Sequence, residues 1–223
     1  TGEDDAIGPV AGRLQVVSKR MVVLPEYRSH GIGYRLKLAQ REFAIQQGLS
    51  LVTWTFDPLL APNAYLNLHK LGAICRTYHV DYYGTDTGAG LTTLGSSDRL
   101  LAEWQVTQAR VAERVAGTYT PLTLDQYLAG GAVIVNPAIV SAEAWIAPGA
   151  VIDARAATLL LEIPPNYLAL ISAQPDLARA WRGHTRPLFQ DLFAVGYVAT
   201  EFVRGAYEGR ERTFYVLSQA ASI

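Results

Sequence analysis

Met21-Val22-Val23-Leu24-Pro25-Glu26-Tyr27-Arg28-Ser29-His30-Gly31-Ile32-Gly33 is the stretch whose reading decides the fold. An apolar run stops at proline, a turn carries two glycines, and a helix-like segment, Tyr34 to Gln47, follows. The first turn of a helix leaves backbone N–H groups without intrahelical partners, and the helix dipole adds positive potential there. Glycines at 31 and 33 remove the Cβ atoms that would keep a phosphate from those donors, and Arg28 adds a charge at the rim. The segment reads as a pyrophosphate cradle. It is not a P-loop, because no lysine follows Gly33 at the required spacing, nor a dinucleotide fingerprint, because Leu36 stands where the third glycine belongs. A left-handed turn between strand and helix, holding no ligand, is the competing reading.

Working outward, Leu14 to Leu24 is expected as a strand, with β-branched residues at 16, 17, 22 and 23. The helix places Leu36, Ala39 and Phe43 at helical spacing and stops at Gly48. Leu51 to Phe56 reads as a buried parallel neighbour, ending at Asp57-Pro58. A short helix from about Pro62 stops at Gly72; strands over Ile74 to Tyr83 and Arg99 to Val106 flank a Gly- and Thr-rich loop, Gly84 to Ser97. Strand, helix, strand implies a right-handed crossover, with the glycine turn at the carboxyl end of the first strand, where open α/β sheets bind ligands.

Composition narrows the classes. In 223 residues, half are hydrophobic and 17% charged, which is globular rather than disordered. A formal charge of −1 gives no basic field for nucleic acid or anionic membrane. One cysteine, Cys75, excludes an intrachain disulfide framework and suits a reducing compartment. No apolar run reaches the roughly 20 residues of a spanning helix, and the acidic start Thr1-Gly2-Glu3-Asp4-Asp5 is unlike a signal peptide. A cytoplasmic protein is expected. The histidines show no metal-ligand spacing, no metal site is expected, and Gly-x-Ser-x-Gly is absent.

Arg28-x-x-Gly31-x-Gly33 after a Val-x-Pro strand end closely resembles the acyl-CoA signature of the GNAT N-acyltransferase superfamily. Asn63-Ala64-Tyr65-Leu66-Asn67-Leu68-His69-Lys70-Leu71-Gly72 resembles the family's asparagine, short amphipathic helix and closing Lys-Leu-Gly. The wording over residues 14 to 106 is closest to an uncharacterised branch. The resemblance implies a mixed, twisted α/β (α+β) sheet whose two parallel strands splay around the pantetheine arm, with flanking helices. It implies acetyl-CoA or another acyl-CoA as co-substrate, held by Met21, Val22, Val23, Arg28, Ser29, His30, Gly31, Ile32, Gly33 and Asn63. Backbone groups of residues 21 to 23 would pair with the pantetheine amides, and an N–H near Val23 would stabilise the thioester oxyanion.

Two departures stand out: Asn63 lies nearer its glycine than the family's asparagine does, and Leu68 occupies the place of the usual proton-donating tyrosine. Asn63 is equally readable as a helix cap after Pro62. The chemistry then falls to Tyr83 as proton donor, with Tyr82 on the opposite face by strand alternation, and to Asp57 and Glu103 as bases. Asp57 before Pro58 also reads as a turn cap, and Asp98-Arg99 as a carboxylate fork or a surface ion pair. His69 is expected to be a solvated helix residue, and Cys75 packing.

Only about 13 residues precede the first strand, so the family's N-terminal strand, helices and hairpin are expected to be missing from this chain, which also opens without methionine. Beyond residue 107 the order strand (Thr158 to Ile163), helix (Pro165 to Ser172), helix (Asp176 to Ala194) and hairpin (Tyr197 to Val203, Thr213 to Leu217) resembles that missing part. The chain is therefore divided into an acyl-CoA-binding core, 1–107, and a partly GNAT-like α/β subdomain, 108–223, joined by an irregular bridge from Gln108 to Ala157. The expected activity is transfer of a short acyl group to the amine of a small molecule or amino acid. A non-catalytic acyl-CoA-binding module is the alternative, and a homodimer is compatible with either.

Overall fold

The structure is a computed structural model that describes residues 15–19, 21–27, 30–84, 96–140, 146–149, 151 and 155–219. Among these it is a mixed α/β fold with two four-stranded mixed sheets, a small two-stranded sheet and six α-helices. The first sheet has the order β1-β2-β4-β3, built from Val16–Val17, Leu51–Phe56, Arg99–Gln105 and Tyr78–His79 for β1, β2, β4 and β3. The second has the order β5-β8-β10-β9, from Val133–Ile134, Thr158–Ile163, Arg210–Gln219 and Tyr197–Tyr207 for β5, β8, β10 and β9. Residues β6 (Ile139–Val140) and β7 (Ile146–Ala147) form the small sheet.

Two residues stitch the large sheets together. Ile74 exchanges both backbone bonds with Glu103 on β4, and Cys75 exchanges both with Ala199 on β9, at 2.8–3.0 Å. The segment just after Gly72 therefore runs between the sheets as a shared strand position, which explains why Cys75 is wholly buried. Burial and the nearby Glu103 push its thiol well up, as suits a packing residue rather than a nucleophile.

A single core follows from this stitching. Trp54 and Trp104 from the first sheet and Leu68 from the helix turn Tyr65–Lys70 share one buried cluster with Phe202 and Tyr215 from the second sheet and Trp181 from a helix over it. Tyr215 donates to the Pro58 carbonyl at 2.7 Å, and Arg182 on α6 (Pro175–Ala194) reaches Asp57 at 2.7 Å. Residue 107 is thus a division in the sequence across which side chains pack without interruption.

Several elements differ from their sequence-based expectation. The first strand is limited to Val16–Val17, because it pairs with β2 over two residues only; Met21, Val22 and Leu24 beyond it are exposed. Ile74 to Tyr83 is not one strand: after β3 the chain turns at Asp81, whose φ is +45°. Tyr82 and Tyr83 consequently do not alternate across a sheet but meet edge to face at 4.9 Å. The bridge is not irregular throughout. It contains α3 (Ala109–Ala116) and α4 (Leu124–Ala129), the latter started by a reciprocal capping box between Thr123 and Gln126. The hairpin is longer than expected, with the ladder running to Tyr207 and Arg210 around Glu208-Gly209, so residues 204 to 212 are strand and turn rather than loop.

Candidate functional site

The cleft opens where the two parallel strands stop pairing. β1 meets β2 at Val16–Val52 and Val17–Thr53, and Ser18 N–H donates to the Thr53 carbonyl at 2.8 Å. Trp54, Thr55 and Phe56 continue β2 without a β1 partner and instead line a cavity of about 150 Å³ with Ser18, Met21, Lys37, Asn63 and Asn67. Against this cavity stands α1 (Ile32–Gln46), which starts from Gly31 in the left-handed region at φ +70° with no side-chain cap. Among the described residues no side chain caps its first-turn N–H groups, which is the arrangement that takes an exogenous acceptor. Gly33 lies inside the first turn, where a Cβ would stand 3.5 Å from the Met21 side chain.

Of the expected cofactor residues, Met21, Gly33 and Asn63 come together at this cleft, and Gly31 and Ile32 open the helix beside it. Val22 is 77% exposed and His30 is exposed; Arg28 and Ser29 lie outside the described residues. The cap reading of Asn63 is corrected. Leu60 caps α2 (Ala61–Ala64), and Asn63 sits inside that helix with its side chain at the cavity. The helix widens into π geometry over Tyr65–Lys70, closing with Leu71 N–H to the Leu66 carbonyl at 3.0 Å. Such a widening re-aims side chains, and here Asn67 accepts from the Trp54 indole at 3.3 Å at the cavity floor. Leu68, in contrast, is wholly buried in the core.

Lys37 is the residue that the sequence reading missed. Its position on an amphipathic helix suggests solvent, yet it is 3% exposed. The ammonium lies 3.4 Å from the centre of a Trp54 ring and donates to Ser18 Oγ at 3.2 Å and Gln40 Oε1 at 3.1 Å. Desolvation lowers its pKa from 10.5 to about 8. Only the alternation of Trp54 toward the helix face of β2 hinted at a cation partner.

The three residues assigned to proton transfer occupy two places. Tyr83, 41% exposed, lies in the turn after β3 with the Arg99 guanidinium 5.2 Å from its ring; Arg99 in turn stands 3.8 Å from Asp57. Asp57 is a turn former, as its alternative reading had it: one carboxylate oxygen accepts from Leu59 N–H at 2.8 Å, and the other from Arg182. Glu103 stands four positions along β4 from Arg99, a separation of about 13 Å in a strand. It pairs with the half-exposed Arg76 at 3.1 Å, and burial raises its pKa. By register Glu103, Thr53 and Thr55 share the sheet face opposite Trp54 and Lys37.

Two other expectations are corrected. Asp98 is not part of a surface ion pair. It is buried, accepting from Tyr78 at 2.6 Å and from Arg186 at 2.9 Å, and these bonds with Asp81 N–H hold its pKa below the usual range despite burial. His69 is not solvated: its ring stacks on Tyr65 and its Nδ1 lies 3.2 Å from Glu201. Among the described residues, no group of His, Cys, Asp and Glu could hold a metal ion, and no helix is long and apolar enough to cross a membrane. No family model, curated protein or solved structure matches this chain.

Proposed function

We propose that the chain is an acyl-CoA-dependent N-acyltransferase of GNAT type, carrying an acetyl or other short acyl group to the amine of a small molecule or amino acid. The observation that carries this reading is the cleft between β1 and β2, where two parallel strands separate beside an uncapped helix N-terminus. The edge of β2 at Trp54 to Phe56, where β1 no longer pairs with it, would take the amides of a pantetheine arm as an added strand would. The open N–H groups following Gly31 would take its pyrophosphate. The cavity floor, formed by Trp54, Asn67 and Lys37, suits the polar and apolar segments of that arm.

In this reading the acceptor approaches from the opposite sheet face. Its amine nitrogen attacks the thioester carbonyl carbon, the C–S bond breaks, the amine proton passes to a base, and the thiolate takes a proton. Glu103, raised by burial, is the better base of the two carboxylates, since both oxygens of Asp57 are already engaged. Asp57 then positions Arg182 and Arg99, and Tyr83 is the candidate proton donor. A second reading, an acyl-CoA-binding module without turnover, is supported by the burial of Leu68, which leaves no hydroxyl at that point of the helix.

Thermal unfolding with acetyl-CoA, free CoA and a longer acyl-CoA tests the cleft. Ligand at about a hundred times its dissociation constant adds roughly 2.7 kcal/mol, on the order of 5 °C in melting temperature for a chain of this size. Thiol release on addition of amines then separates the enzyme from the binding module, and Tyr83→Phe is expected to slow release at unchanged cofactor affinity. No shift with any CoA species overturns the reading.

A further inference from the structure

A second cavity, of about 210 Å³, lies on the other side of the Tyr65–Lys70 helix turn, between α3, the segment that follows it, α4 and the β9–β10 hairpin. Its wall is polar throughout: Arg110, Arg114, Tyr119, Tyr127, Thr200, Glu201 and Ser218. We propose that it binds a small anion bearing a carboxylate or a phosphate.

The argument is an account of donors and charges. Glu201 is saturated. One oxygen accepts from His69 and from Phe202 N–H, and the other from Arg114 and the Tyr119 hydroxyl, both at 2.7 Å. Each of the three Arg114 nitrogens is also engaged, donating to Glu201 and to the carbonyls of His69 and Arg110. It lies so close to Gly72, itself at φ +71°, that a Cβ there would stand 2.8 Å from its side chain. The carboxylate is therefore paired with Arg114, and Arg110, one helical turn away, has no ion pair among the described residues.

Arg110 donates to the Thr200 carbonyl at 2.5 Å, but its Nε is buried with no partner among the described residues. A buried, unmatched donor on a cation is costly unless something supplies the acceptor. The Tyr127 hydroxyl faces the same space and makes no hydrogen bond among the described residues, and Thr200 and Ser218 present paired hydroxyls 3.2 Å apart. One surplus positive charge, an unsatisfied N–H and hydroxyl donors around a recess specify an acceptor-rich anion. The recess of about 210 Å³ has room for a short dicarboxylate or a phosphate.

Calorimetric titration of the whole chain at low ionic strength with acetate, malonate and inorganic phosphate tests this, each repeated on Arg110→Gln and Tyr127→Phe. Saturable binding is expected with Kd at or below the millimolar range, weakened at least tenfold by Arg110→Gln and several-fold by Tyr127→Phe. The ranking of the three ions tells carboxylate from phosphate. Tyr127→Phe removes one unpaired hydroxyl and leaves the fold intact, so it decides the matter if Arg110→Gln unfolds. Absence of saturable binding by all three ions overturns the proposal. So does binding that Tyr127→Phe leaves at full strength, which would place the anion at another site such as the start of α1.

Discussion

The two ends of the β-structure are built on opposite plans. At the β8–β10–β9 end, the strands pair along six and ten residues, and even the charges are enclosed. Arg212 and Glu162 are both wholly buried, joined at 2.7 Å; Glu162 also accepts from Ala138 N–H, and Asn136 exchanges two bonds with the Glu162 backbone. At the β1–β2 end, pairing ends after two residues, large apolar side chains stay exposed, and the helix beside the opening has no cap. The first plan makes a scaffold. The second leaves backbone donors and a cavity for something else to satisfy, and sites of local incompleteness on a complete frame are where ligands bind.

The largest expected effect breaks the scaffold. Arg212→Met leaves Glu162 buried without its counter-ion, and loss of one partner of a buried pair costs about 3–5 kcal/mol. Burial already raises the Glu162 pKa with arginine present, and the variant raises it further. Protonated Glu162 needs no counter-ion, so the deficit in urea unfolding should be greatest near pH 7 and shrink as pH falls toward 5. A deficit independent of pH would mean that the guanidinium acts by packing alone.

The cleft should respond in the opposite direction. Lys37 binds its proton less tightly folded, with a pKa of about 8, than unfolded, at 10.5. Between those values the unfolded chain holds more protons, so this residue's penalty lessens as pH rises through that window and is largest below it. Lys37→Met should therefore be more stable than the parent at pH 7, by up to about 3 kcal/mol, with the gain closing toward pH 10. Loss of the contact with the Trp54 ring reduces that gain. A variant less stable at pH 7 would place the ring contact and the Ser18 and Gln40 bonds above desolvation in weight.

The same contrast governs what the sequence disclosed. Leu51–Phe56 and Thr158–Ile163 were legible to the residue, because short runs rich in apolar and β-branched residues that stop before Asp57-Pro58 and Pro164 read as buried strands. The first strand was over-extended because β-branched residues at 22 and 23 signal a strand whether or not a neighbour is present. Tyr82 and Tyr83 were misplaced because a non-glycine residue, Asp81, takes the left-handed conformation without a sequence mark. At the site, the glycine turn was readable from local pattern, whereas Met21 and Asn63 were named only through the family resemblance. Lys37, the Arg110–Arg114–Glu201 cavity and the Asp98–Arg186 pair were not readable: Trp54 and Ser18 stand 17 and 19 residues from Lys37, and the other two sites join groups 87 and 88 residues apart that meet only once the two large sheets are packed together.

The smallest effect on stability should give the sharpest test of the cleft. Gly33→Ala adds one methyl in the first turn of α1, in ordinary contact with Met21 at 3.5 Å and Leu66 at 4.0 Å. Alanine is the better helix former, so unfolding free energy should stay level or rise by about 0.5 kcal/mol. The methyl, however, points toward the wall where Met21 and Leu66 line the cavity. If that cavity holds a pantetheine arm, cofactor affinity should fall at least tenfold in the stabilised variant. Affinity unchanged with stability raised would move any bound ligand away from the first turn of α1. The opening between β1 and β2 would then be a feature of how the short strand ends, and the exposed Met21, Val22 and Leu24 would need another occupant.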